Sequence, residues 1–292
     1  MAHLKNALLI AWAALLLAAC APFPQAKPGS EPPAGPTAQA IFDRMLVEHG
    51  GDLRQYQGDI NLASEGQWYP LILRIQPVVT DAGFRIASEE RYRPNEGLYA
   101  VRYTGPQGVK QTVMSATGMS LAYNGVPETD PVKRRATTLT HDTFRMFHFG
   151  PSYFLDRTEA MVRLADAVED GQNYHRLLLT LRPGFGESPE DQAVLWIHPQ
   201  TFRWFRVHQT LNGFESTQGA HVDTTFLAYQ RVGPFLFPVK FLERVRGPLQ
   251  IDAHRWQVTG IDLNRGWSAS DVTGNGFIGA AQRPAKPLTP SQ

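Results

Sequence analysis

Tyr174-His175-Arg176-Leu177-Leu178-Leu179-Thr180-Leu181 decides the fold class of this chain. His175, Leu177, Leu179 and Leu181 fall on one face, the two-residue period of a strand with one side buried. Outward from it, residues 193–198 and 202–209 repeat the period on either side of the short turn Pro199-Gln200-Thr201. The same alternation predicts strands at 58–68, 71–79, 84–91, 99–103, 111–115 and 120–123, and again at 224–232, 239–245 and 254–263. Residues 159–169 carry alanines that suit a helix, but Met161-Val162-Arg163-Leu164 alternates and is read as strand.

Helices are few. Ala38, Ile41, Phe42, Met45 and Leu46 recur at helical spacing, with Thr37 placed as N-cap and Gly50-Gly51 as the stop. A second helix is expected over 140–149, with Thr140 as its cap and Phe144, Phe147 and His148 along one side. The class is therefore mainly β (α+β): one antiparallel, mostly meandering sheet within a single unit spanning 38–281.

The sequence before this unit reads as an export and anchoring segment. Lys5 precedes the apolar run 7–19, and Leu17-Ala18-Ala19-Cys20 closes it on the only cysteine. At about 1.5 Å per helical residue the run covers roughly 20 Å, short of the ~30 Å core of a bilayer. Residues 1–19 thus read as a removable signal peptide. The small residues before Cys20 resemble the lipobox of bacterial lipoproteins, which implies a diacylglycerol thioether and an N-acyl chain such as palmitate on Cys20 as the membrane anchor. Ala21 stands where an aspartate signals inner-membrane retention, so the resemblance implies the outer membrane, with the protein facing the periplasm. Residues 20–37, rich in proline and glycine, read as a lipidated, semi-extended tether, and 282–292 as a disordered tail.

Loss of Lys5 with the signal peptide leaves 27 acidic residues matched by as many Lys and Arg. A neutral chain lacks the positive excess that neutralises phosphate, so nucleic acid is not an expected partner. With Cys20 acylated, no thiol remains for a disulfide, a nucleophile or a metal site.

The run Leu195-Trp196-Ile197-His198-Pro199-Gln200-Thr201-Phe202-Arg203-Trp204 resembles a hairpin of the outer-membrane lipoprotein-sorting proteins. Ala228-Tyr229-Gln230-Arg231-Val232-Gly233-Pro234-Phe235-Leu236-Phe237-Pro238 resembles the strand pair that follows it in that family, and the helix ending in His49-Gly50-Gly51 is also typical of the superfamily. The resemblance implies the fold of the Lol carrier and receptor: a curved antiparallel half-barrel whose concave face is plugged by helices and holds acyl chains. His198 departs from the pattern, since an aspartate is usual there. Aromatic residues expected to line such a concavity are Trp68, Phe147, Phe149, Tyr153, Phe154, Trp196, Trp204 and Phe226.

Groups able to carry chemistry are scattered. No two histidines show the i, i+4 spacing of a helical metal pair, and His198 and His208 lie on opposite arms of a hairpin whose turn sets His208 near Gln192. His141-Asp142 reads as first-turn electrostatics, Glu89-Glu90 as a solvated strand edge, and Lys133-Arg134-Arg135 as a basic loop. Gly150-Pro151-Ser152 and Gly266-Trp267-Ser268 lack the second glycine of a nucleophile elbow, and the G-x-G-x-x-G at 274–279 has no βαβ unit around it. The expectation is a non-catalytic lipoprotein without cofactor or metal, binding a lipid, lipoprotein or other hydrophobic ligand. The competing readings are an assembly lipoprotein that binds an envelope protein and, more remotely, an envelope hydrolase.

Overall fold

The two-residue period persists through most of the chain, and the strands it generates join one sheet. The computed structural model describes residues 22–29, 31, 33–274 and 276–288; the signal segment and Cys20, and with them the expected acylation, lie outside the described residues. In chain order the strands are β1 (Ile60–Trp68), β2 (Ala87–Arg93), β3 (Leu98–Gly105), β4 (Gly108–Ser115), β5 (Gly118–Tyr123), β6 (Val126–Pro127), β7 (Thr158–Glu169), β8 (Gln172–Leu181), β9 (Asp191–Ile197), β10 (Trp204–Thr210), β11 (His221–Val232), β12 (Phe235–Gly247) and β13 (Ile251–Leu263). They lie in the order β6-β5-β4-β3-β2-β1-β13-β12-β11-β10-β9-β8-β7. Each half is a meander, and the halves meet where β1 pairs antiparallel with β13, from Ile60 opposite Leu263 to Trp68 opposite His254. The sheet is curved and unclosed, a half-barrel.

Helices α1 (Ala38–Glu48), α2 (Pro70–Ile75), α3 (Pro77–Thr80), α4 (Pro131–Phe149) and the four-residue α5 (Gly279–Gln282) complete the fold. Helix α4 carries the chain from edge strand β6 to the opposite edge strand β7 and crosses the inner face on the way. From Ala136 onward it is buried almost all round, as befits a helix used as a plug. Ile41, Phe42 and Met45 of α1 join the same core as Phe147, Trp204, Phe241 and Trp256. Thr37 caps α1 through its hydroxyl, and Gly50, at φ 101°, ends it, both as expected.

Several expectations are corrected. Residues 71–79 form α2 and α3 rather than a strand, because Pro70 and Pro77 each occupy a first helical position, where a missing N–H costs nothing. Helix α4 starts at Pro131 with Asp130 as its cap, nine residues before Thr140. Thr140 instead returns its hydroxyl to the Thr137 carbonyl, so His141 and Asp142 lie mid-helix and buried, and Lys133-Arg134-Arg135 is helical rather than a loop. Glu89-Glu90 lies on an interior strand, with Glu90 wholly buried. A bulge at Trp204/Arg206 shifts the hairpin register, so His208 faces Val194 rather than Gln192.

Both chain ends cover the outer face. Phe23 packs edge-on against the rings of His208 and His221, and Arg163 donates to the carbonyls of Ala34 and Pro36, so the described tether lies along the sheet. Beyond β13, Trp267, Val272 and Phe277 pack on Leu98, Ala100 and Val113. The described part of the expected tail runs back along β13, where Leu288 donates to the Thr259 carbonyl and the Ile261 amide donates to that of Lys286.

Candidate functional site

Where the α4 plug stops short of the sheet rim, a cavity of about 240 Å³ remains. One wall is α4, through Leu139, Thr143 and Phe144; α2 and α3 supply Ile72, Ile75 and Val79; Leu211 and Ala220 close a third side. Val222, Glu243, Val245 and Ala253 form the sheet floor, and Trp68 borders it. Exposed apolar groups also stand at the mouth. Leu71, Ile75 and Val78 of α2–α3 and Leu249 of the β12–β13 turn are all 40% exposed or more, a cluster of solvent-facing aliphatic groups beside the opening.

Most polar groups in the lining are occupied locally. Thr143 donates to the Leu139 carbonyl, Thr80 to that of Pro77 and Thr217 to that of Leu211, so these hydroxyls are already committed to the backbone. Gln76 and Ser216 bond each other across the mouth in two places, at 2.8 and 2.6 Å. Arg85 lies behind α3, donating to the carbonyls of Val79 (2.8 Å) and Thr80 while its guanidinium covers the rings of Trp68 and Phe144. That contact fixes the α3 wall.

Glu243 is the exception. It is the one ionisable residue in the lining, and no hydrogen bond or ion pair joins its carboxyl to any described residue. Burial raises its pKa to about 7, against the pull of Arg85. Its register neighbours share the condition: Thr224 on β11 and His254 on β13 stand directly opposite it, and neither the Thr224 hydroxyl nor either His254 ring nitrogen has a hydrogen-bond partner among the described residues. Burial and then Arg85 hold His254 well below the ordinary histidine range, so its ring is neutral, stacked 3.8 Å from Trp68. A buried polar group left unpaired costs about 1–3 kcal/mol, which makes the unpaired Thr224 and His254 on either side of the half-buried Glu243 a costly arrangement.

A second polar cluster on the same inner face is fully paired. Glu90 accepts from Tyr99 (2.5 Å), Ser88 (2.7 Å) and His148 Nδ1 (2.9 Å), while Trp256 Nε1–H donates to His148 Nε2 (3.0 Å). The indole donor requires an unprotonated Nε2, which places the His148 proton on Nδ1, facing Glu90. Burial works against the Glu90 carboxylate, but His148 and the two hydroxyls hold its pKa below the ordinary value. Ser88 is bonded in turn to the Ser64 hydroxyl (2.7 Å), so the polar members of this network are paired with one another, the geometry of a core fastener.

Of the eight aromatic residues expected to line a concavity, Trp68 borders the cavity. Phe147, Phe154, Trp204 and Phe226 pack in the main core. Phe149 and Tyr153 border a separate, more polar cleft with Arg54 and Arg145, and the Tyr153 hydroxyl donates to Asp142. Trp196 lies on the outer face with Val194 and Leu178, beneath Arg176 and Arg206. The outer face also brings His208 and His221 within 2.7 Å of each other, a pairing the spacing did not reveal. Among the described residues no cluster of His, Cys, Asp or Glu is arranged to hold a metal.

Phe144 and Glu243 were missed at the sequence level, yet Glu243 carried a signal. Phe237, Val239, Phe241, Glu243 and Val245 alternate along one strand, and the acid occupies an inward position of that series.

No protein-family model matches the sequence, and no curated protein is recognisably related to it. Among solved structures, a LolA superfamily protein from Nitrosomonas europaea aligns at 13% identity over 82% of this chain and 98% of its own, with a TM-score of 0.49. A DUF1329 family protein from Desulfovibrio piger aligns at 11% identity over 82% and 98%, with a TM-score of 0.44.

Proposed function

We propose that this chain is a non-catalytic envelope lipoprotein, held by acylated Cys20 at the periplasmic side of the outer membrane, that binds a hydrophobic ligand with an alkyl or acyl chain. One observation carries the binding reading: an apolar cavity whose opening is rimmed by exposed aliphatic side chains. Such a rim suits a ligand that must leave a membrane or a partner without crossing water, and each buried methylene contributes about 0.8 kcal/mol. The cavity is modest beside typical ligand sites of about 300–1,000 Å³, so it suits part of one chain rather than a whole lipid. The anchor reading rests on Leu17-Ala18-Ala19-Cys20 alone.

The test is native mass spectrometry with lipid extraction on the full chain and on Ala220→Trp, which places an indole at the cavity wall. A stoichiometric lipid on the wild type that is lost from the variant supports the reading. Equal lipid on both proteins, or none on either, refutes it; an envelope protein that co-purifies with lipid-free chain supports the assembly role instead.

A further inference from the structure

The cavity floor has a chemistry of its own, and the inference drawn from it rests on the cavity being a ligand site. Its walls are mainly carbon: the hydroxyls of Thr80, Thr143 and Thr217 are bonded to their own backbone, and Gln76 and Ser216 are bonded to each other at the mouth. At the floor stands one carboxyl, Glu243, flanked in register by Thr224, which is wholly buried, and His254, 4% exposed, whose side-chain polar atoms have no partner among the described residues. No cation lines this space: Arg85, the nearest one acting on Glu243, is turned to the carbonyls of Val79 and Thr80.

We infer that Glu243 determines head-group specificity: the cavity takes an amphiphile whose head donates a hydrogen bond, a hydroxyl or an amine, and rejects one whose head is a carboxylate. The reasoning is electrostatic. A carboxylate head brought against Glu243 sets two acceptors of like charge together in a space where water is scarce, and one of them must take up a proton to enter. A hydroxyl or an ammonium supplies what the Glu243 oxygens lack. Thr224 and the neutral His254 ring, each able to donate or accept, can serve the head group's remaining valence. Because burial raises the Glu243 pKa to about 7, the group is ionised above that pH, where the discrimination is strongest.

Three eight-carbon probes separate the possibilities: 1-octanol, octylamine and octanoate, titrated at pH 8.5 into the full chain by calorimetry, with quenching of Trp68 fluorescence as a second readout. The expected result is binding of octanol and octylamine at least about tenfold tighter than octanoate, with Glu243→Gln reducing the gap to about threefold or less. A larger loss for octylamine than for octanol in Glu243→Gln identifies the amine as the preferred head; the reverse identifies the hydroxyl. Thr224→Val, which removes a neighbouring hydroxyl at constant volume, is expected to weaken octanol and spare the rejection of octanoate, and it serves as the folded control if Glu243→Gln does not fold. Binding of all three probes with equal affinity, or unchanged rejection of octanoate by Glu243→Gln, overturns the specificity inference while leaving the cavity a ligand site. Failure of every probe to bind overturns the cavity reading itself.

Discussion

Glu90 and Glu243 both lie on the inner face of one sheet, the first buried and the second half-buried beside a cavity, and they are treated in opposite ways. Glu90 receives three hydrogen bonds and is held below the ordinary carboxylate range; Glu243 receives none and is raised to about 7. The first sits under the C-terminal end of α4, where His148 reaches down to it; the second faces the middle of that helix across the cavity, where Leu139, Thr143 and Phe144 offer it no polar partner. A buried carboxyl whose partners are all present fastens the fold, whereas Glu243, without such partners, contributes no such fastening. An inward position on the sheet is shared by both residues; what separates them is that the hydrogen bonds of one are satisfied and those of the other are not.

The comparison predicts opposite consequences for one kind of change. Glu90→Leu leaves three buried donors without an acceptor and is expected to cost at least about 3 kcal/mol, read as a lower urea midpoint. Trp256→Phe removes one donor from the same network and should cost about 1–2 kcal/mol while leaving the sheet intact by circular dichroism. Glu243→Gln should behave otherwise. An acid whose folded pKa is raised is destabilising once ionised, so wild-type stability is full below about pH 4.5 and falls as pH rises toward 7. Denaturation at pH 5 and pH 8 should therefore show the variant gaining on the wild type by about 1–3 kcal/mol at the higher pH. A pH-independent difference would merge the two glutamates into one class. The smallest effect belongs to the mouth: Gln76→Ala, which cuts the two bonds to Ser216, should change stability by less than about 1 kcal/mol yet speed probe exchange in stopped-flow fluorescence.

Much of this was legible in the sequence. Period-two alternation located nearly every strand, and Thr37 and Gly50-Gly51 bounded α1, because such signals are local and depend on a few residues. The region around the cavity was the least legible. Leu71-Ile72-Leu73 satisfies a strand and a short helix equally, and only Pro70 and Pro77 distinguish them. Threonines in the middle of α4 obscured its true start at Asp130-Pro131. Glu90 looked like a solvated residue because nothing local tells an interior strand from an edge; that depends on β1 and β3 arriving on either side of β2. Trp68 was read as a lining residue from its bulk, whereas Glu243 required a polar residue at an inward position to be taken as information rather than as a break in the pattern.

The pairing of β1 with β13 constrains time as well as space. A ribosome makes residue 60 some two hundred residues before its partner at 263, so the first strand of the sheet has no neighbour on that side until nearly all the chain exists. Contacts so distant in sequence close slowly, since the loop entropy is lost before the pairing returns anything. The unfinished sheet therefore stays open at its centre until synthesis is nearly complete. A chain built this way stays open at its centre for as long as it is unfinished and closes only when both strands of the central pair are present.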